Sequence, residues 1–199
     1  LRSGSQELTG SCPLGLNRRG FKKENLLLQK FTSMEIHSID SFLSYYERVR
    51  ERTLWVVELV PPERMEWVYL PGKFSIADSI RHIAAIERLL YAEIVQGKPS
   101  CYDGCGAHLA AGYDDVLAYF QQMHEETVAI LRELTDEDLQ RKCATPGGGE
   151  IRVWKWLRAM VEHEIHHRAQ LYLYLNMLGV RTPPMFGLTE EQLKEMILR

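Results

Sequence analysis

The stretch VWKWLRAMVEHEIHHRAQLYLYLNML, residues 153–178, holds neither glycine nor proline, and its apolar residues recur at helical rather than alternating spacing. Projected at 100 degrees per residue, Leu157, Met160, Leu171, Leu175 and Leu178 fall in one stripe, the face a helix turns toward a core. His167 lies inside that stripe, His163 at its edge and His166 well outside it. Two histidines at i and i+4 stack on one helix face and can hold one metal ion. His163 and His167 are therefore expected as metal ligands, with His166 solvated. Glu164 also falls near the apolar stripe, where an unpaired carboxylate is costly, so it is expected to have a partner, either a cation or a metal-bound water.

Three further segments carry the same periodicity. Residues 36–60 place Ile39, Phe42, Leu43, Tyr46, Val49, Thr53, Leu54 and Val57 at three-and-four spacing before Pro61-Pro62, which ends a helix. A second helix opens on Ser75-Ile76-Ala77-Asp78, an N-cap with an acid in its first turn, and runs through Ile80, Ile83, Leu90 and Ile94 to Gly97. A third spans about Tyr113 to Leu134, with a short extra turn after Thr135-Asp136. Gly179 stands where a C′ glycine ends the fourth, and Thr189-Glu190-Glu191-Gln192 signals a short C-terminal helix. The second and third helices are separated by about fifteen residues, and the third and fourth by a long connection containing Pro146-Gly147-Gly148-Gly149. Antiparallel neighbours in a bundle need only short loops, so at least one connection is expected to cross over. The fold class expected is all-α: a four-helix bundle with a long crossover connection.

The chain has 199 residues, 45% of them apolar and 26% charged, enough for one core. Residues 1–33 hold six basic and two acidic residues among scattered Ser, Gly and Pro, and are expected to be a disordered N-terminal extension to a domain over 34–199. A net charge of -3 offers no basic stripe for nucleic acid and no polybasic cluster for a membrane surface, and no apolar run reaches spanning length. Four irregularly placed cysteines do not make a disulfide framework, so a cytoplasmic location is expected.

Two imidazoles alone hold a divalent ion weakly, so a third ligand is required. His82, mid-way along the second helix and flanking its apolar stripe, is the best candidate, with His124 on the third helix in reserve, either as ligand or as a catalytic group beside Glu164. His37 and His108 read as surface residues. Cys101, Cys105 and His108 share the long connection, but their spacing fits no strong zinc template, and free thiols are the expectation. The Tyr45-Tyr46 pair and Trp55, Trp67, Trp154 and Trp156 read as packing residues.

Phe74-Ser75-Ile76-Ala77-Asp78-Ser79-Ile80-Arg81-His82-Ile83 and His163-Glu164-Ile165-His166-His167-Arg168-Ala169-Gln170-Leu171 together resemble the DinB family, also called YfiT-like, as do Leu178-Gly179-Val180 and Pro183-Pro184. The resemblance covers about 34–199. Ala169 departs from it, standing where many relatives have glycine. It implies a four-helix bundle with a crossover and a metal held by one second-helix and two fourth-helix histidines, which here are His82, His163 and His167. It further implies a divalent-metal-dependent enzyme, a hydrolase or a thiol S-transferase, that activates water or a low-molecular-weight thiol toward a small-molecule substrate, and a homodimer. Three nitrogen donors suit zinc or nickel, and also iron. Two other readings stand beside it. His163-Glu164-x-x-His167 is also the pattern of zinc metalloproteases, with Glu164 as general base and Glu190 or Glu191 as a further ligand. The bundle can alternatively be a non-catalytic metal-binding or stress-response module.

Overall fold

The computed structural model describes residues 35–198; the extension expected over 1–33 lies outside them. Four long helices carry the fold. Helix α1 spans Ile39–Val57, its N-terminus capped by Ser38, whose hydroxyl accepts the Ser41 N–H. Helix α2 begins at Ile76–Ile86 behind a capping box in which Ser75 and Asp78 each accept the other's backbone N–H. It continues through a π-helical stretch, Glu87–Ala92, into a last α-helical turn, Glu93–Val95. Helix α3 spans Tyr113–Arg132 and helix α4 spans Val153–Met177. Gly179, at φ +76, closes α4. There the Val180 N–H reaches the Leu175 carbonyl at 2.9 Å and the Gly179 N–H reaches that of Asn176 at 3.0 Å, the paired bonds of a Schellman motif that a left-handed C′ glycine permits. Helix α5, Glu190–Ile197, follows a capping box built on Thr189 and Gln192.

The core is divided along the bundle axis. One apolar cluster joins the start of α1 (Ile39, Phe42, Tyr46), the end of α2 (Tyr91, Val95), the end of α3 (Val128, Leu131) and the start of α4 (Trp154, Leu157). The other joins the end of α1 (Val56, Val57) to the starts of α2 (Ile76, Ile80) and α3 (Val116, Phe120) and the end of α4 (Leu171, Leu175). Helices α1 and α4 therefore run one way, and α2 and α3 the other. Because α2 and α3 pack together and point in the same direction, residues 96–112 must return the full length of α2, which is the crossover the sequence calls for. Its contacts trace that path: Cys101 N–H donates to the Leu89 carbonyl at 2.9 Å, Tyr102 reaches His82, and the Ala110 carbonyl accepts from Arg81 Nε at 2.8 Å.

Two local features escape the periodicity. Residues 142–152 form a small antiparallel hairpin, β1 (Lys142–Ala144) and β2 (Glu150–Arg152), around the Pro146–Gly149 turn, with Cys143 opposite Ile151. Three-residue strands are too short to register as an alternating pattern. The π-helical stretch inserts extra residues per turn and moves the buried face of α2 from Leu90, which is only partly buried, to Tyr91 and Ala92. Among the described residues no helix is long and apolar enough to cross a membrane.

Candidate metal centre

His82 on α2 and His163 and His167 on α4 converge at the rim of the layer between the two apolar clusters. Each offers a ring nitrogen, and these nitrogens lie within 4.8 Å of one another. His82 Nε2 is 3.1 Å from His163 Nε2, close to the spacing of about 3.3 Å that bonds of about 2.0–2.1 Å to a tetrahedral ion impose. Among the described residues no other group of three His, Cys, Asp or Glu side chains is placed to share an ion. Cys101 and His108 are exposed and Cys105 is buried, and they form no second group. Glu190 and Glu191 lie on α5, exposed, with Glu190 2.6 Å from Lys194, and neither joins the histidines.

The outer nitrogens of two rings are already engaged. His82 Nδ1 lies 2.8 Å from the Tyr102 hydroxyl. His167 Nδ1 lies 2.8 Å from Gln170 Oε1, and Gln170 Nε2 is in turn 3.1 Å from His166 Nε2. That second contact orients the amide, because its NH2 must donate to His166 while its oxygen accepts from His167. Burial, with repulsion from His167, lowers the His82 pKa to about 4. Burial, then His167, His82 and His166, lowers His163 to about 3. His167 is lowered by burial against the opposing pull of Gln170. All three imidazoles are therefore neutral near pH 7, with lone pairs to offer a cation. The donor set fits a divalent ion and brings it no negative charge.

Glu164 and His124 belong to a different cluster, at the centre of the same layer. Glu164 is 2% exposed; its Oε1 accepts from the Thr53 hydroxyl at 2.6 Å and its Oε2 lies 3.1 Å from Arg50 Nη2. The partner expected for Glu164 is thus a cation, Arg50. The same guanidinium pairs with Glu87 and stacks on Phe120 with 4.2 Å from Cζ to the ring centroid. His124 is buried and bridges Glu87 Oε1 at 2.8 Å and Glu47 Oε2 at 3.3 Å. Burial opposes ionisation of Glu87, but Arg50 and His124 outweigh it and its pKa is lowered. Burial likewise works against the charged form of Arg50, and Glu164 and Glu87 reverse it, so the pKa is raised. A void lined by Tyr46, Glu87, Met160, His163 and Glu164 separates the two clusters and is too narrow for a water molecule.

The DinB superfamily model matches residues 45–171. The chain belongs to the DinB superfamily. Among curated relatives it is 24% identical over 149 residues to the uncharacterized protein YjoA of Bacillus subtilis strain 168, a match over 74% of this chain and 95% of YjoA. Among solved structures it resembles Bacillus subtilis YfiT, described as a probable metal-dependent hydrolase with an unusual four-helix bundle topology. The TM-score is 0.60 at 21% identity, covering 75% of this chain and 93% of YfiT. A mycothiol-dependent maleylpyruvate isomerase shares the fold at a TM-score of 0.54 and 14% identity, over 67% of this chain and 60% of that one. At these identities the structural likenesses establish the four-helix bundle.

The sequence reading did not find Arg50, Glu87, Tyr102 or Gln170. Arg50 and Glu87 were detectable as charges on buried stripes, Arg50 between Tyr46 and Thr53 and Glu87 four residues after Ile83. Gln170 sits three residues beyond His167, within reach on the same helix face. Tyr102 carries no local signal, since only the path of the crossover brings it to His82.

Proposed function

We propose that this chain is a divalent-metal-dependent enzyme in which His82, His163 and His167 hold one ion and a small electrophilic substrate is attacked by water or a low-molecular-weight thiol. The convergence of three neutral ring nitrogens from two helices carries the reading. A divalent ion supplies Lewis-acid chemistry in such a site, lowering the pKa of a water or thiol at its open position. The chain's own contribution is to present neutral donors, so that the charge of the ion is undiminished, and to brace two of the rings from behind through Tyr102 and Gln170. Zinc and nickel suit these donors best and iron is accommodated, since imidazole by itself does not select among them.

Glu164 fits a structural role better than that of general base, because Thr53 and Arg50 of α1 hold its carboxylate. That weighs against the metalloprotease reading, as does the exposed position of Glu190 and Glu191 on α5. His124, tied to Glu87 and Glu47, reads in the same way. The two chemistries, hydrolysis and thiol transfer, are separated by assay. Protein reconstituted with zinc, nickel or ferrous iron is offered activated esters and amides in one series, and electrophiles with bacillithiol or mycothiol in the other. Turnover that requires metal and falls to background in His163→Ala supports the enzyme; stoichiometric metal with no turnover in either series favours the non-catalytic module.

A homodimer and a cytoplasmic location complete the proposal. Leu173 and Met177 on α4, 57% and 56% exposed, offer an apolar face for a second copy, which light scattering tests. The free thiols of Cys101, Cys105 and Cys143 suit a reducing compartment.

A further inference from the structure

We propose that Tyr102, on the crossover segment, is a positioning residue of the metal centre: its hydroxyl accepts the Nδ1–H of His82 and leaves Nε2, the nitrogen facing His163, to the ion. The inference rests on the metal reading above and adds a residue to it from a part of the chain remote from both ligand helices.

A neutral imidazole ring has one N–H and one lone pair, so a ring that ligates through Nε2 carries its hydrogen on Nδ1, and that hydrogen requires an acceptor. Tyr102 provides one at 2.8 Å, while Nε2 of the same ring points to His163 at 3.1 Å. The His82 ring is therefore oriented from both sides, Nδ1 on the Tyr102 oxygen and Nε2 facing His163.

Tyr102 is itself held in place. Its N–H donates to Ser100 Oγ at 3.1 Å, and the Ser100 hydroxyl donates to the Leu89 carbonyl at 3.0 Å. The Cys101 N–H shares that carbonyl, which belongs to the π-helical stretch of α2. The far end of the segment is fixed by fully buried Arg81, which bonds the Ala110 carbonyl. His167, in contrast, is braced within its own helix by Gln170. The crossover thus does for His82 what one turn of α4 does for His167.

The test compares wild type with Tyr102→Phe, which keeps the ring and removes the hydroxyl. Zinc affinity is measured by chelator competition, and the imidazole N–H signals of the zinc-loaded proteins are followed by 1H–15N NMR. The expected result is a zinc Kd raised about 10–100-fold, with the His82 Nδ1–H signal broadened or lost by exchange while that of His167 persists and helicity is unchanged. Equal zinc affinity, or a His82 Nδ1–H signal as protected in Tyr102→Phe as in wild type, overturns the role of Tyr102 and leaves the metal site standing. A wild type that takes up no zinc overturns the metal reading, and this one with it.

Discussion

Two polar clusters occupy one layer of this bundle and are built in opposite ways. At the centre, Arg50, Glu87, Glu164 and His124 are each 4% exposed or less, with the Arg50 cation set against the Glu87 and Glu164 carboxylates and His124 bonded to Glu87. At the rim, His82, His163 and His167 are only partly buried, neutral, and carry inward-facing nitrogens that no carboxylate engages. Adjacent residues of α4 serve the two: His163 faces the rim, and Glu164, about 100 degrees further round the helix, faces the centre. A buried charge without its partner is heavily penalised, so removing one member of the central cluster destabilises the fold. A half-buried neutral imidazole tolerates an uncommitted lone pair, so the rim is free to bind. Paired charge marks the central cluster, and unpaired neutral nitrogens mark the one proposed to bind the ion.

The largest effect expected from this contrast follows removal of the central cation. Arg50→Ala strands two buried carboxylates and should cost about 3–5 kcal/mol in stability, read by urea denaturation, whereas His163→Ala should cost far less in the metal-free protein. Equal losses would erase the distinction between the clusters. Next comes Glu164→Gln, which preserves the oxygen that Thr53 bonds but removes a charge facing Arg50. We expect a stability loss of about 1–3 kcal/mol with metal stoichiometry unaltered. Unchanged stability together with turnover reduced about 100-fold or more would instead make Glu164 the general base of the protease reading.

A smaller effect sharpens the rim. Gln170→Ala frees the outer nitrogen of His167 and should weaken zinc binding about 10-fold, with no change in the stability of the metal-free chain. A probe of the rim that needs no metal is pH. In the folded, chelator-treated protein His82 and His163 stay neutral until about pH 4 and 3, while in the unfolded chain they take protons near 6.5. The unfolded state then binds more protons between those limits, so these groups make stability decline as pH falls from about 6.5 toward 3, His82 ceasing to contribute to the slope near 4 and His163 near 3. Urea midpoints across that range measure it. His82→Ala should flatten part of the decline, and a slope unaffected by that variant would mean that His82 is not held neutral by the fold.

The contrast also explains what could be read in advance. The helices, their caps at Ser75, Thr189 and Gly179, and the need for a crossover all follow from local spacing and turn chemistry, and the structure bears them out. The inward placement of His163 and His167 also followed from spacing within one helix. Arg50 and Glu87 were hidden in plain pattern, because a charge on an apolar stripe is ambiguous until its partner on another helix is known. Leu90, on the expected stripe, packs partly buried against the first apolar cluster, while the π-helical stretch changes the period of α2 part-way and buries Tyr91 and Ala92 more fully. Tyr102 lay beyond reach altogether: its neighbours depend on the path of the crossover, which no local periodicity encodes.

The central claim is that the rim cluster binds one ion through three histidines. Elemental analysis of wild type and of His82→Ala, His163→Ala and His167→Ala, each reconstituted with zinc and with nickel and freed of excess metal, tests it most directly. We expect about one equivalent in the wild type, lost in all three variants while far-UV helicity is retained. A wild type that holds no metal, or an ion that survives His82→Ala, would contradict it.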